Sequence, residues 1–144
     1  MGREVRMVPK DWEHPKNSDG RFKSLHDSYV ADAEDFMAVA NEEGLQEAID
    51  YMGVPDAVDY MPVWDKSERT HLMMYENTTE GTPISPAFET PEELARWLAD
   101  NNASSFGSHT ATYEQWLNTC KTGWAMSAVM VGGKLKSGVE AFSE

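Results

Sequence analysis

The sequence predicts an α+β fold: a single domain with a small antiparallel sheet and about four helices. Three observations point there. Two segments, Thr90-Pro91-Glu92-Glu93 and Thr112-x-x-Gln115, carry complete helix start signals, with a hydroxyl at the N-cap and an acid or amide three residues later. Gly132-Gly133 sits between two short runs that can pair, the pattern of a hairpin closed by a two-residue primed turn. The run Thr70-His71-Leu72-Met73-Met74-Tyr75-Glu76 has strand composition and leads into a polar turn. The order is loop, two helices, strand pair, two helices, hairpin, which fits segregated helices and strands rather than alternating βαβ units.

Residues 1–26 read as an irregular arm, because Pro9, Pro15 and the Asn17-Ser18-Asp19-Gly20 turn interrupt any periodic element. Trp12, Phe22 and Leu25 are available to anchor it, and His14 reads as a loop residue. The domain proper spans 27–144. Its first helix is expected over about 29–41, with Tyr29, Ala33, Phe36, Met37 and Ala40 on one face and Asp27 or Ser28 as the cap. A second helix is expected over 44–52 on Leu45, Ala48, Ile49 and Met52, stopped by Gly53 and Pro55. Residues 54–70 form a connector. Ile84 to Phe88 return as an edge strand, since Pro83 and Pro86 cannot donate to a central ladder.

The helix from Thr90 buries Leu94, Trp97 and Leu98 and ends near Asn101-Asn102. The helix from Thr112 buries Tyr113, Trp116, Leu117 and Cys120, with Gly123 as its stop. The closing hairpin runs over Ala125–Val131 and Lys134–Val139.

Charge is the second legible feature. The chain of 144 residues has a net charge of −13, and nearly all of it lies in one stretch. Residues 27–65 hold eleven acids and no Lys or Arg, whereas the first 26 residues are slightly basic. Like charges at Asp32/Asp35, Glu43/Glu47 and Glu47/Asp50 each oppose helix formation by about 0.2–0.5 kcal/mol, a penalty that interspersed Lys or Arg would remove. Two readings are open: a solvated, solubilising face, or a surface kept negative to meet a basic partner. Eight acids over residues 27–52, about 39 Å as a helix, give one charge per roughly 5 Å, against about 1.7 Å for duplex DNA. That density supports partial occupation of a Lys/Arg-lined groove rather than full duplex mimicry. The same acidity excludes a nucleic-acid binder.

Motifs of catalysis are missing. No His-x-His, His-x-x-x-His or Cys-x-x-Cys spacing suggests a metal, and no GxGxxG, P-loop or GxSxG element is present. No cofactor and no catalytic residue is expected. Cys120, the single cysteine, excludes an internal disulfide, suits a reducing compartment and sits on an apolar stripe as a structural thiol. No apolar run approaches the roughly 18 residues of a membrane span, and the polar N-terminus does not read as a signal peptide. The densest polar regions are the 76–85 and 104–110 loops. If they met, Glu76, Glu80, Thr82, His109 and Thr110 could bind a small polar ligand or do acid–base work.

Several runs carry a resemblance. Trp12-Glu13-His14-Pro15, Tyr60-Met61-Pro62, Ser67 to His71, Met74 through Ser85-Pro86, the helix from Thr90 to Asp100, Ala103 to Gly107 and Thr110 to Leu117 together resemble a recurrent family of small bacteriophage proteins. The resemblance carries no catalytic residues across. It implies a phage origin and a place in the host bacterial cytoplasm, and small acidic phage proteins are by type similar to anti-CRISPRs. The leading expectation is a non-enzymatic inhibitor of a host effector complex, a CRISPR ribonucleoprotein first. It would engage a basic groove through Asp32, Glu34, Asp35, Glu42, Glu43, Glu47 and Asp50, with Tyr60 and Trp64 as hydrophobic anchors. The alternatives are a ligand-binding module or enzyme built on the two polar loops, and a virion or replication accessory protein.

Overall fold

The computed structural model describes residues 2–26, 29–76, 81–126 and 128–141. The chain is α+β. It divides into two compact units, one of residues 1–23 and 64–144 (the sheet unit) and one of residues 24–63 (the helical unit).

The sheet unit is built on a four-stranded antiparallel sheet of β1 (Arg3–Val8), β2 (His71–Glu76), β3 (Thr82–Pro83) and β4 (Trp124–Ala125), in the order β3-β2-β1-β4. Helices α3 (Pro91–Asp100) and α4 (Tyr113–Thr122) supply most of the core. Met74, Leu94, Ala95, Leu98, Trp116 and Cys120 form its buried centre with Ala125 and Val139. Both helix starts are as the sequence predicts. Thr90 accepts from the Glu93 N–H with Pro91 in the first turn, and Thr112 and Gln115 close a reciprocal capping box. Gly123, at φ 99°, ends α4 in the left-handed region that a side chain disfavours. Strands β5 (Ala128–Val131) and β6 (Lys134–Ser137) make the expected hairpin, with Gly132 and Gly133 both at positive φ as a primed turn requires.

Four expectations are corrected. The N-terminal arm is not irregular throughout: residues 3–8 form β1, an interior strand paired with β2 along its whole length. The segment 125–131 is not one strand, because Trp124 and Ala125 pair with β1 as β4 while the hairpin begins at Ala128. The last strand stops at Ser137, where a short helix α5 (Gly138–Ala141) begins. Ser137 and Glu140 exchange hydrogen bonds there, with the Ser137 N–H and hydroxyl donating to the Glu140 carboxylate. The return from the turn pairs first through Thr82 and Pro83, and Phe88 makes only an isolated bridge to Leu72. Pro83 occupies an edge, as its missing donor demands.

β1 escapes a sequence reading because each of its faces carries an arginine. Arg3, Val5 and Met7 stand opposite Glu76, Met74 and Leu72, while Glu4, Arg6 and Val8 stand opposite Tyr75, Met73 and His71. Both arginines are buried and compensated. The Arg3 guanidinium donates to the Gly2 and Ser104 carbonyls and lies 3.6 Å from Glu76, and Arg6 pairs with Glu4 at 3.0 Å and stacks 4.4 Å from the Tyr75 ring centre.

The helical unit contains α1 (Tyr29–Glu43), α2 (Leu45–Met52) and a single 3-10 turn, Ala57–Asp59. Gly44, at φ 101°, separates the two helices, and Gly53 closes the second. The predicted α1 caps, Asp27 and Ser28, lie outside the described residues. Phe36 and Ala48 are buried, but Met37, expected on the buried face, is 56% exposed. Among the described residues no helix is long and apolar enough to cross a membrane.

Candidate functional site

The acidic residues singled out in the sequence fall on α1 and α2. Glu34, Asp35, Glu42, Glu43, Glu47 and Asp50 are all exposed, and Asp32 is half-buried at the start of α1. Among the described residues none of these seven forms an ion pair with Lys or Arg; Asp50 accepts a 3.0 Å hydrogen bond from the Gln46 amide, its neighbour one turn back. The absence of compensation follows from composition, since residues 24–63 contain ten acids and no Lys or Arg. Gly44 breaks the helix between Glu43 and Glu47, so of the three like-charge pairs only Asp32/Asp35 and Glu47/Asp50 share a helix.

Tyr60, expected as an anchor for a partner, is engaged inside the unit. Its hydroxyl donates to the Asp32 carboxylate at 2.6 Å, and its ring packs on His26 and Tyr29, each at 5.3 Å between centroids. The bond to Asp32, helped by partial burial, pushes the Tyr60 hydroxyl up to about 12. His26 bridges the same segment through its backbone, donating to the Asp59 carbonyl and accepting from the Met61 N–H. Tyr60 therefore pins the 57–61 segment to the first turn of α1. Trp64 belongs to the sheet unit, edge-on to Trp12 at 5.0 Å. Beside Tyr60, His26, Asp32, Tyr51, Pro55, Asp56 and Asp59 line an open depression of about 560 Å³.

Apolar side chains share this acidic surface. Val30, Met37, Leu45, Tyr51, Met52, Val54, Val58 and Val63 are all exposed, eight of the thirteen large exposed hydrophobics among the described residues, in a unit of 40 residues.

The two polar loops do meet, but through an arginine. Arg3 reaches Glu76 from one and the carbonyl and hydroxyl of Ser104 from the other, while Thr82 donates to Glu76 at 3.3 Å. His109 turns away to Glu140, at 3.1 Å, and makes no hydrogen bond or ion pair with Glu76. Burial alone would raise the Glu140 carboxyl, but hydrogen bonds from Ser137 and His109 outweigh it and hold the group below the usual range. Thr110 is exposed, and Glu80 lies outside the described residues. Glu76 is thus held by a buried cation, and Glu140 by Ser137 and His109 at the start of α5, so the two loops do not bring Glu76 and His109 together. Burial, with Glu92 adding to it, pushes the Cys120 thiol up to about 12, which leaves no thiolate nucleophile there.

One network was not legible in advance. The Trp12 indole N–H donates to the Tyr75 hydroxyl at 3.1 Å, and Tyr75 and His14 Nδ1 are 2.8 Å apart. His14 Nε2 meets the Lys23 carbonyl. A carbonyl can only accept, so Nε2 carries a proton, and in the neutral imidazole Nδ1 then accepts from the Tyr75 hydroxyl. Burial lowers the His14 pKa, the Lys23 carbonyl opposes this, and Arg6 adds to the lowering. Burial raises the Tyr75 hydroxyl against the opposing pull of Trp12 and Arg6. The only signal in the sequence was the aromatic and imidazole content of Trp12-Glu13-His14-Pro15 inside a stretch otherwise rich in turn residues. Every polar atom of this network is satisfied within the fold, which makes it a clasp holding the arm on the sheet.

Among the described residues no group of three or more His, Cys, Asp or Glu is arranged to hold a metal ion. Comparison with protein-family models, curated proteins and solved structures finds no match to this chain.

Proposed function

We propose that this protein is a non-catalytic inhibitor, phage-encoded, that acts by occupying a basic, nucleic-acid-binding surface of a host effector complex, with a CRISPR ribonucleoprotein as the first candidate. The observation that carries the proposal is the helical unit itself: seven carboxylates on α1 and α2 in a unit that contains no Lys or Arg, interleaved with exposed apolar side chains. Unpaired charge of one sign steers association with the opposite sign and sets its salt dependence, and the apolar side chains supply the desolvated contacts that charge alone does not. The phage and CRISPR parts of the proposal rest on the resemblance of the runs named above, most of them in the sheet unit, and on analogy by type.

The test is capture of host proteins from bacterial lysate by the intact chain, with identification of what is retained. A nucleic-acid-binding effector complex is expected, released as salt rises from about 0.1 M to about 0.5 M. A variant carrying Glu34→Gln, Asp35→Asn, Glu42→Gln and Glu43→Gln is expected to keep its fold and lose at least about tenfold in affinity. Equal retention by that variant rules out the acidic face as the binding surface.

A further inference from the structure

The proposed acidic face leaves open what it grips, and α1 carries a feature that narrows this. Val30, Ala33, Met37, Ala38 and Asn41, with Glu34 among them, line a shallow groove of about 480 Å³ along the helix. At 3.6 residues per turn this stripe lies beside, not on, the face that buries Phe36. Val30 and Met37 are 54% and 56% exposed, two turns apart on nearly one line of the helix, and the small Ala33 and Ala38 lie on either side of that line. That profile, two larger apolar side chains two turns apart with alanines to either side, admits a ridge of side chains from a second helix. Methionine at one wall adapts to varied partners.

The charge around the groove selects its occupant. Glu34 lies within the stripe, Asp35 and Glu42 flank it on the side away from Phe36, and no Lys or Arg occurs in the whole unit. A second copy of this chain meeting it through the same face would set these carboxylates against their own equivalents. We propose, building on the acidic-face reading above, that the α1 groove takes a basic amphipathic helix of the partner. Its apolar side chains lie between Val30 and Met37, and its Lys and Arg face Glu34, Asp35 and Glu42.

The experiment uses the intact chain and two labelled peptides of equal positive charge, each about 18 residues long. One is an amphipathic Leu/Lys helix and the other a Lys/Ser sequence with no apolar stripe, and binding is read by fluorescence anisotropy. The Leu/Lys peptide is expected to bind about tenfold more tightly than Lys/Ser. Val30→Ser with Met37→Ser should abolish that advantage and leave Lys/Ser binding unchanged. Ala38→Gln, which fills the groove at an exposed site without changing charge, should do the same if the double variant loses its helix. An advantage that survives both variants overturns the groove while leaving the acidic face standing. Failure of both peptides to bind the unaltered chain overturns the groove and the acidic face together. A concentration-dependent dimer that dissolves in the Val30→Ser/Met37→Ser variant overturns the proposal in favour of a second copy as occupant.

Discussion

The two units of this chain solve opposite problems. The sheet unit contributes eleven of the fifteen buried apolar residues among those described, and its two innermost cations, Arg3 and Arg6, each have a carboxylate and a carbonyl or an aromatic ring for company. Among the described residues the helical unit buries only Leu25, Phe36, Ala48 and Met61 of its apolar side chains, leaves twice that number of large ones exposed, and pairs none of its helix carboxylates with Lys or Arg. One unit is organised inward and the other outward. The helical unit thus carries like-charge repulsion together with the larger share of the exposed apolar side chains among the described residues.

The largest test of this contrast is core truncation. Trp116→Ala should cost about 3–5 kcal/mol, because a fully buried indole leaves a cavity that α3 and the sheet cannot close. Phe36→Ala should cost less than half of that in chemical denaturation, since few buried neighbours surround it; equal costs would erase the distinction between the units. Hydrogen exchange sharpens the same point: amides of α1 and α2 should exchange through local opening well before those of β1, β2 and α4.

Acidification is the next test. His14 has its pKa lowered by folding from 6.5, so folded and unfolded chains bind protons alike well above that value and no penalty exists there. As pH falls below about 6.5 the unfolded state takes up the proton first, and stability is lost progressively through the depressed folded value. Denaturation midpoints should therefore drop between about pH 7 and pH 5. A His14→Gln variant, less stable at pH 7, should show a flatter profile over that range. Tyr60→Phe should cost about 1 kcal/mol by removing the hydrogen bond to Asp32, and the loss should show first in protection of the α1 start. The smallest effect runs the other way. Asp35→Asn should stabilise the fold by about 0.2–0.5 kcal/mol by relieving repulsion with Asp32, as a surface kept for binding predicts.

What the sequence made legible were features encoded within a few residues. The Thr90 and Thr112 caps, the Gly123 stop, the Gly132-Gly133 turn and the Gly53 stop are all local, and each is found where expected. The acids of α1 and α2 were legible for the same reason: a charged side chain on a short amphipathic helix points outward whatever lies beneath. The long-range features were hidden. β1 does not alternate polar and apolar because Arg3 and Arg6 find their partners at Glu76, Ser104 and Tyr75, far along the chain. Met37 fits the buried helical period on paper, yet among the described residues it stays exposed beside the face that buries Phe36. Tyr60 looks like a free aromatic until Asp32, Tyr29 and His26 are brought to it.

The place of β1 has a consequence for how the chain is made. Arg3 and Glu4 pair on one side with β2 and on the other with Trp124 and Ala125. On a ribosome adding about 5–20 residues per second, the second of those partners emerges about 6–24 s after the strand itself. Throughout that interval a nascent strand has a bare edge, the kind of template on which chains aggregate. The charges of Arg3, Glu4 and Arg6, which cost an effort of compensation in the finished sheet, guard that edge while it waits.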